Sequence, residues 1–530
     1  MRRLVVTLVG ATLLLSACGT LPVLPTPVPT PVPPREVKVR ALDRDTQQPV
    51  SGAQLSVGSV SAVTTTDGAA TVMALPGAKV AARADGFDPG SGQVPGEGDL
   101  TITLRSNVVY GTIRSDGGQP LAGVRVFVDG STTLARSDSL GRYRLAGVPE
   151  KGNLIYKLPG HRLGVIPIDK QMHKDVTLPA FEARALYAPS AIFEGAGRLD
   201  AELALIEKTE ANAMVIDVKE TDGNLYWSTD LPAAKAVGAV MQHPLFELNQ
   251  LLPKLKARGI YTIARMVVMK DNTLGAARPD LAVMNSVTGK PWRDYGGGIW
   301  LDPFNPGVPE YIAALAGDLA DKGFDEVQLD YVRFYSDGDF STSDTTLPNT
   351  ESFRLPAIRR LFRVVSDELQ TKRAFFGADV FPISFIASDD QGIGQRPEVI
   401  MPYVDYFDPM VYPSHYYAGS FGWDVPNNHP YDVINSTLKL MNAERVGLPL
   451  VIRPWIQDFG YAGFPPYTAA QVQAEMQALR DNGAQGWMIW NARAEFTTAA
   501  LGLPRAGEAS APVTSADTAG TASPPATTAP

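Results

Sequence analysis

The decapeptide DEVQLDYVRF, Asp325 to Phe334, sets a carboxylate, Asp330, and an arginine, Arg333, directly behind the strand-like run Val327, Gln328, Leu329. A carboxyl group at the end of a strand can give or take a proton or attack an electrophilic carbon, and an arginine beside it can hold it ionised. Similar placements recur along the chain. Lys219 and Glu220 close AMVIDVKE, Arg265 stands in IYTIARMVVMKD, Asp379 ends the apolar part of FFGADVFP, and Asp408, Tyr412 and His415 lie in YVDYFDPMVYPSHY. Trp455 and Trp490 belong to LPLVIRPWIQDF and GWMIWNA. Acids, cations and flat aromatic rings therefore come at matching points of successive segments, a pattern that packing needs alone do not produce.

The segments that carry these residues are strand-like and alternate with stretches long enough for helices. Eight of them run from ARALYAPS at Ala183 to GWMIWNA at Gly486. Between the first two, Leu199, Leu203 and Ile206 fall on one side of an amphipathic helix, and the helix before the opening strand ends at Gly323 as its C-cap. Apolar strands alternating eight times with helices predict an α/β fold, a (β/α)8 TIM barrel over residues 180–503. Its active face lies at the C-terminal ends of the strands, where the residues above stand. A doubly wound nucleotide-binding sheet would carry a glycine-rich loop after its first strand, and APSAIFEG is not one.

The rest of the 530 residues divides by texture. Residues 36–105 and 106–179 are short β-branched runs broken by Gly, Asp and Pro, with a Pro-x-x-Gly turn opening a strand in both copies (PVSG, PLAG). They predict two small all-β sandwich modules and resemble the carboxypeptidase regulatory-like modules of exported bacterial proteins, whose usual roles are as spacers or carbohydrate-binding accessories. Residues 1–17, with two arginines, an apolar run and LSAC, resemble a lipoprotein signal peptide, which implies lipidation of Cys18, the single cysteine of the chain. Residues 18–35 form a proline-rich linker, and residues 504–530 are small, polar and proline-rich, the composition of a disordered tail. The expected location is the cell envelope, exported and tethered to a membrane surface by lipid. A net charge of −9 argues against nucleic acid as a partner.

Through VIDVKETDG, IARMVVMKD, GGIWLDPFNP, GFDEVQLDYVRFYSDG, DYFDPMVYPSHY and QGWMIWNA, residues 183–496 resemble a glycosyl-hydrolase-type barrel family of exported bacterial proteins, long classed as of unknown function and distantly similar to α-amylase-type barrels. The resemblance implies hydrolysis of a polysaccharide or oligosaccharide by two carboxyl groups, one protonated and one ionised. In amylase-like barrels the nucleophile ends the fourth strand, the position of Asp330. For the partner acid, Asp379 on the next strand comes first, then Asp408, then Glu220. Arg333, Arg265 and Lys219 are expected to bind substrate or orient these acids, and Tyr412, Trp455 and Trp490 to stack on sugar rings. His415 is open between a substrate hydrogen bond and a structural one. No metal or cofactor is expected: no second histidine stands at ligand spacing, and YSDGDFSTSD does not match the standard calcium loop. The competing reading is a carbohydrate-binding or envelope scaffold without catalysis.

Overall fold

The computed structural model describes residues 32–195, 197–445, 447–505 and 514–516. Cys18, the signal segment, nearly all of the proline tract and most of the tail lie outside the described residues. The chain divides into two compact units, residues 1–106 and 107–530. In the first, Arg35–Asp43 pairs antiparallel with Ala69–Ala74 and parallel with Leu100–Leu104. A four-stranded sheet completes the module, and alternate residues such as Val37, Val39, Leu55 and Val80 fill a common core.

The second unit holds the other β module and the barrel. The barrel strands are β1 (Ala183–Ala188), β2 (Ala213–Lys219), β3 (Tyr261–Val267), β4 (Glu326–Asp330), β5 (Phe375–Val380), β6 (Tyr406–Pro409), β7 (Val451–Ile452), β8 (Trp455–Gln457) and β9 (Gly486–Trp490). All neighbours are parallel. β7 and β8 are two pieces of one barrel position, interrupted at Arg453-Pro454 because proline supplies no N–H to the ladder. The ring still closes there, since Arg453 N donates to Phe407 O (3.0 Å) and Met488 N to Pro454 O (2.9 Å).

Six helices of nine residues or more surround the strands: α1 (Arg198–Lys208), α2 (Leu248–Lys256), α3 (Gly307–Lys322), α4 (Glu351–Leu369), α5 (Pro430–Glu444) and α6 (Ala469–Asp481). Gly323 ends α3 in the left-handed conformation, φ 106°. Between β5 and β6 the strict alternation fails. Only one-turn helices form there, because residues 381–395 are used to wall the cavity described below.

Strand parity decides what faces the lumen. On β4, Val327 and Leu329 pack outward with the helices, whereas Glu326, Gln328 and Asp330 point inward, all three buried. The lower lumen is a sealed polar layer. Arg453 donates to Glu326 (Nη1 to Oε2, 3.0 Å) and to Asp408 (Nε to Oδ1, 3.2 Å), and Gln328 Nε2 donates to Asp408 Oδ2 at 2.8 Å. Gly377 on β5 makes room for it, since a Cβ there would stand 2.5 Å from Glu326 Oε1 and 2.7 Å from Asp408 Oδ2.

The second β module sits against the N-terminal end of this barrel. Its Lys157 is fully buried, and its ammonium donates to the carbonyls of Leu369 (3.0 Å), Lys372 (3.1 Å) and Ala374, where α4 ends and β5 begins. Arg125 pairs with Asp405 just before β6, and Gly160 N donates to the Tyr406 hydroxyl at 3.1 Å. The sequence presents residues 180–503 as a self-contained fold because every barrel element is local to that segment. These contacts bring the module into the barrel's compact unit. Replacing Lys157 by methionine leaves several buried carbonyls unpaired at about 1–3 kcal/mol each. K157M is therefore expected to lower the melting temperature of the full chain by several degrees, measured by calorimetry, while K157R retains part of the loss-prone contact. The described end of the tail, Thr514–Ala516, pairs antiparallel with Asp175–Leu178 rather than remaining unstructured.

Candidate active site

Above the sealed layer, one residue from each of several strand ends converges on Arg265 of β3. Its Nη1 donates to Asp217 of β2 (2.5 Å) and to Glu220 (2.6 Å), and its Nη2 and Nε donate to Oδ2 of Asp330 (2.6 and 3.1 Å). The same Nε lies 3.8 Å from Oδ2 of Asp379. One guanidinium thus faces four carboxyl groups in the barrel lumen. Such an excess of acid cannot all be ionised away from water, so protons must be retained.

The structure places those protons by environment. Asp379 is 1% exposed and its carboxyl is pushed well above the usual range, by burial first and then by the charges of Asp330 and Asp408. Its Oδ1 accepts Trp455 Nε1–H at 2.6 Å, and its Oδ2 has no hydrogen-bond partner. Asp217, bonded to the Tyr187 hydroxyl, is raised to about 7 by burial. Asp330 differs: two guanidinium N–H groups on Oδ2 and the Tyr331 N–H on Oδ1 (2.6 Å) surround it with donors. That last bond is made possible by Tyr331, held in the left-handed region at φ 56°, a conformation that costs a non-glycine residue about 1 kcal/mol or more.

Asp330 and Asp379 line one cavity of about 690 Å³ at the C-terminal end of the strands. Arg265, Arg333, Tyr412, His415, Trp455 and Trp490 also line it. Their contacts differentiate them. Trp455 is buried and directs its N–H to Asp379, so it orients the acid rather than presenting a free face. Trp490 stacks on Tyr187 at 4.0 Å, with the Arg265 guanidinium 5.2 Å from its ring. His415 pairs its Nδ1 with Ser414 Oγ at 2.9 Å, and burial lowers its pKa, so the imidazole is neutral at pH 7.

Three residues singled out in the sequence take other places. Asp408 faces the lumen but one layer lower, in the Arg453 cluster, and does not line the cavity. Burial raises it to about 7, with Arg453 opposing that rise. Lys219 turns outward. The β2–β3 register slips between Asp217 and Lys219, which reverses parity, and Lys219 Nζ donates to Val267 O (2.7 Å) and pairs with Asp271 (2.9 Å). The same bulge brings Glu220 back toward Arg265, where it serves as a partner to the guanidinium outside the cavity wall. Arg333 does not hold Asp330: Arg265 does. Asp217, Glu326 and Tyr187 were not recognised from the sequence, although the two-residue period back from the strand ends would have pointed to the first two.

A parallel barrel with two buried carboxyl groups at adjacent strand ends, one held by an arginine and one with an unpartnered oxygen, has the pair of acids that glycoside hydrolysis uses. Residues 185–496, more than half of the chain, match the family described as "Putative glycosyl hydrolase domain", and the chain belongs to that family. Among solved structures, a hypothetical protein from Ruminiclostridium thermocellum is 30% identical over 37% of this chain and 97% of its own, with a TM-score of 0.33. The PgaB (BpsB) glycoside hydrolase domain from Bordetella bronchiseptica is 16% identical over 61% of this chain and 100% of its own, TM-score 0.45. An α-galactosidase from Thermus thermophilus is 12% identical over 80% and 87%, TM-score 0.38. None of the curated proteins matches the chain. The barrel assignment rests on strand order and register.

Proposed function

We propose that the chain hydrolyses glycosidic bonds in an oligosaccharide or polysaccharide, with Asp379 as proton donor and Asp330 as nucleophile. The observation that carries this reading is the unpartnered Oδ2 of buried Asp379 beside an Asp330 wrapped in donors, both on one cavity. Asp379 protonates the leaving oxygen while Asp330 attacks the anomeric carbon, forming a glycosyl ester. Water, deprotonated by Asp379, then cleaves that ester. The facing oxygens lie 3.1 and 3.8 Å from the same Arg265 Nε, so they are no farther apart than the sum of those distances. That bound takes in the spacing of retaining enzymes, about 5–5.5 Å, and only the lower edge of the roughly 6.5–9.5 Å of inverting ones. The test is release of reducing ends by the purified full chain from a panel of bacterial and plant polysaccharides. If sugars bind in the cavity and none is cleaved, the scaffold reading replaces this one.

We place this activity at the cell envelope, on the strength of LSAC and the proline tract behind it. Radiolabelled palmitate is expected to enter the wild-type protein expressed in a bacterium and not C18A. Equal labelling of both removes the anchor.

A further inference from the structure

Arg333 is the cavity's unused cation. Arg265, the other arginine on the cavity wall, has its charge taken up by Asp217, Glu220 and Asp330. Arg333 has no carboxylate partner among the described residues. Its Nη1 donates to Phe334 O (3.0 Å) and Ser336 Oγ (2.9 Å), its only hydrogen bonds among the described residues. The donors on Nε and Nη2 have no protein acceptor, yet they are not among the polar atoms sealed from solvent. They are therefore open to a ligand.

The guanidinium is also held in place. Its carbon lies 4.8 Å from the Trp300 ring centroid, 5.2 Å from that of Tyr331 and 5.3 Å from that of Phe381. Three aromatic walls fix its plane while stripping away water, which lowers the pKa of Arg333 by burial. The charges of Asp330, Asp337 and Asp294 offset that burial only in part, and an anion at the two open nitrogens would offset more of it. Arginine's planar fork fits a carboxylate or sulfate through two parallel N–H bonds, and the two free nitrogens are adjacent ones. The position is within the same cavity as the acids: Arg333 follows Asp330 by three residues and lines the same space.

From this geometry we infer that the cavity selects a sugar residue bearing an anionic group, a uronate carboxylate or a sulfate ester, which Arg333 binds through Nε and Nη2. The inference rests on the reading of the cavity as a glycosidase site, but it concerns recognition and is tested by binding alone. The full chain carrying D330N, so that nothing is turned over, is titrated calorimetrically at low salt with paired probes. The pairs are glucuronate-, galacturonate- and mannuronate-containing tetrasaccharides with their methyl esters, and sulfated disaccharides with their unsulfated forms.

At least one anionic member is expected to bind about 10-fold or more tightly than its neutral partner. That preference should weaken as salt is raised and should disappear in R333Q, while R333K retains part of it. The carboxylate and sulfate pairs separate the two sources of charge. Equal binding of every pair, no binding of any probe, or a preference that survives R333Q overturns the inference. Should R333Q fail to fold, the salt dependence and R333K decide: a charge preference insensitive to both overturns it. Hydrolysis of neutral polysaccharide with no anionic preference would leave the glycosidase reading standing and remove this one.

Discussion

D330N and D379N each lower turnover of a confirmed substrate by about 10²–10⁴-fold, the range that acid, base and nucleophilic carboxyl groups contribute. Both substitutions preserve size, so folding is retained and circular dichroism is unchanged. The two variants should differ in kind. D379N lacks the proton donor, and a substrate whose leaving group needs no protonation, such as a dinitrophenyl glycoside of the cleaved sugar, recovers most of its first-step rate. D330N recovers nothing with that substrate. In D330A, azide can occupy the vacated position and gives a glycosyl azide of inverted configuration, detectable by NMR. D408N and E220Q serve as comparisons, because Asp408 belongs to the Arg453 layer and Glu220 faces Arg265 from outside the cavity wall. A loss in D408N larger than in D379N, with folding intact, would move the acid role to Asp408.

The second large effect is on stability. Arg265 is fully enclosed and is the shared counter-charge of Asp217, Glu220 and Asp330. R265M leaves those carboxyls without a counter-charge, at a cost of about 3–5 kcal/mol, the range for breaking a buried ion pair from one side. The pH dependence has a defined sign. Asp217 and Asp408 are raised to about 7 and Glu202 to about 8, each chiefly by burial, and burial also pushes Asp379 well above the usual carboxylate range. A carboxyl whose folded pKa exceeds its unfolded one binds its proton more tightly when folded. It contributes full stability below the unfolded value, near 4, and loses it as pH rises through the folded one. Unfolding by urea should therefore show the wild type more stable at pH 5 than at pH 8, and R265M should show a steeper fall over that interval. A flat profile in both would mean that the lumen acids are ionised throughout.

The sequence by itself determined the architecture and the face of the barrel on which the candidate acids stand. Period-two strands such as Glu326–Asp330, the glycine stop at Gly323 and the amphipathic spacing of Leu199, Leu203 and Ile206 are local patterns, and local sterics and burial translate them directly into strands, caps and helix faces. Since all strands of a parallel barrel end, C-terminally, at the same face, Asp330 and Asp379 could be placed on it without coordinates.

What only the tertiary structure decided is which charge meets which. Arg333 is three residues from Asp330 in the chain, but the left-handed Tyr331 turns the backbone and sends the arginine among three aromatic rings. Arg265, 65 residues away, takes the aspartate instead, because β3 and β4 are adjacent strands in the sheet. A one-residue bulge turned Lys219 out and Glu220 toward Arg265, and the tilt of the strands left Asp408, the register partner of Asp379, in a lower layer with Arg453. These outcomes depend on register and pairing across the barrel, and electrostatic partnership follows distance in space, which no local pattern encodes.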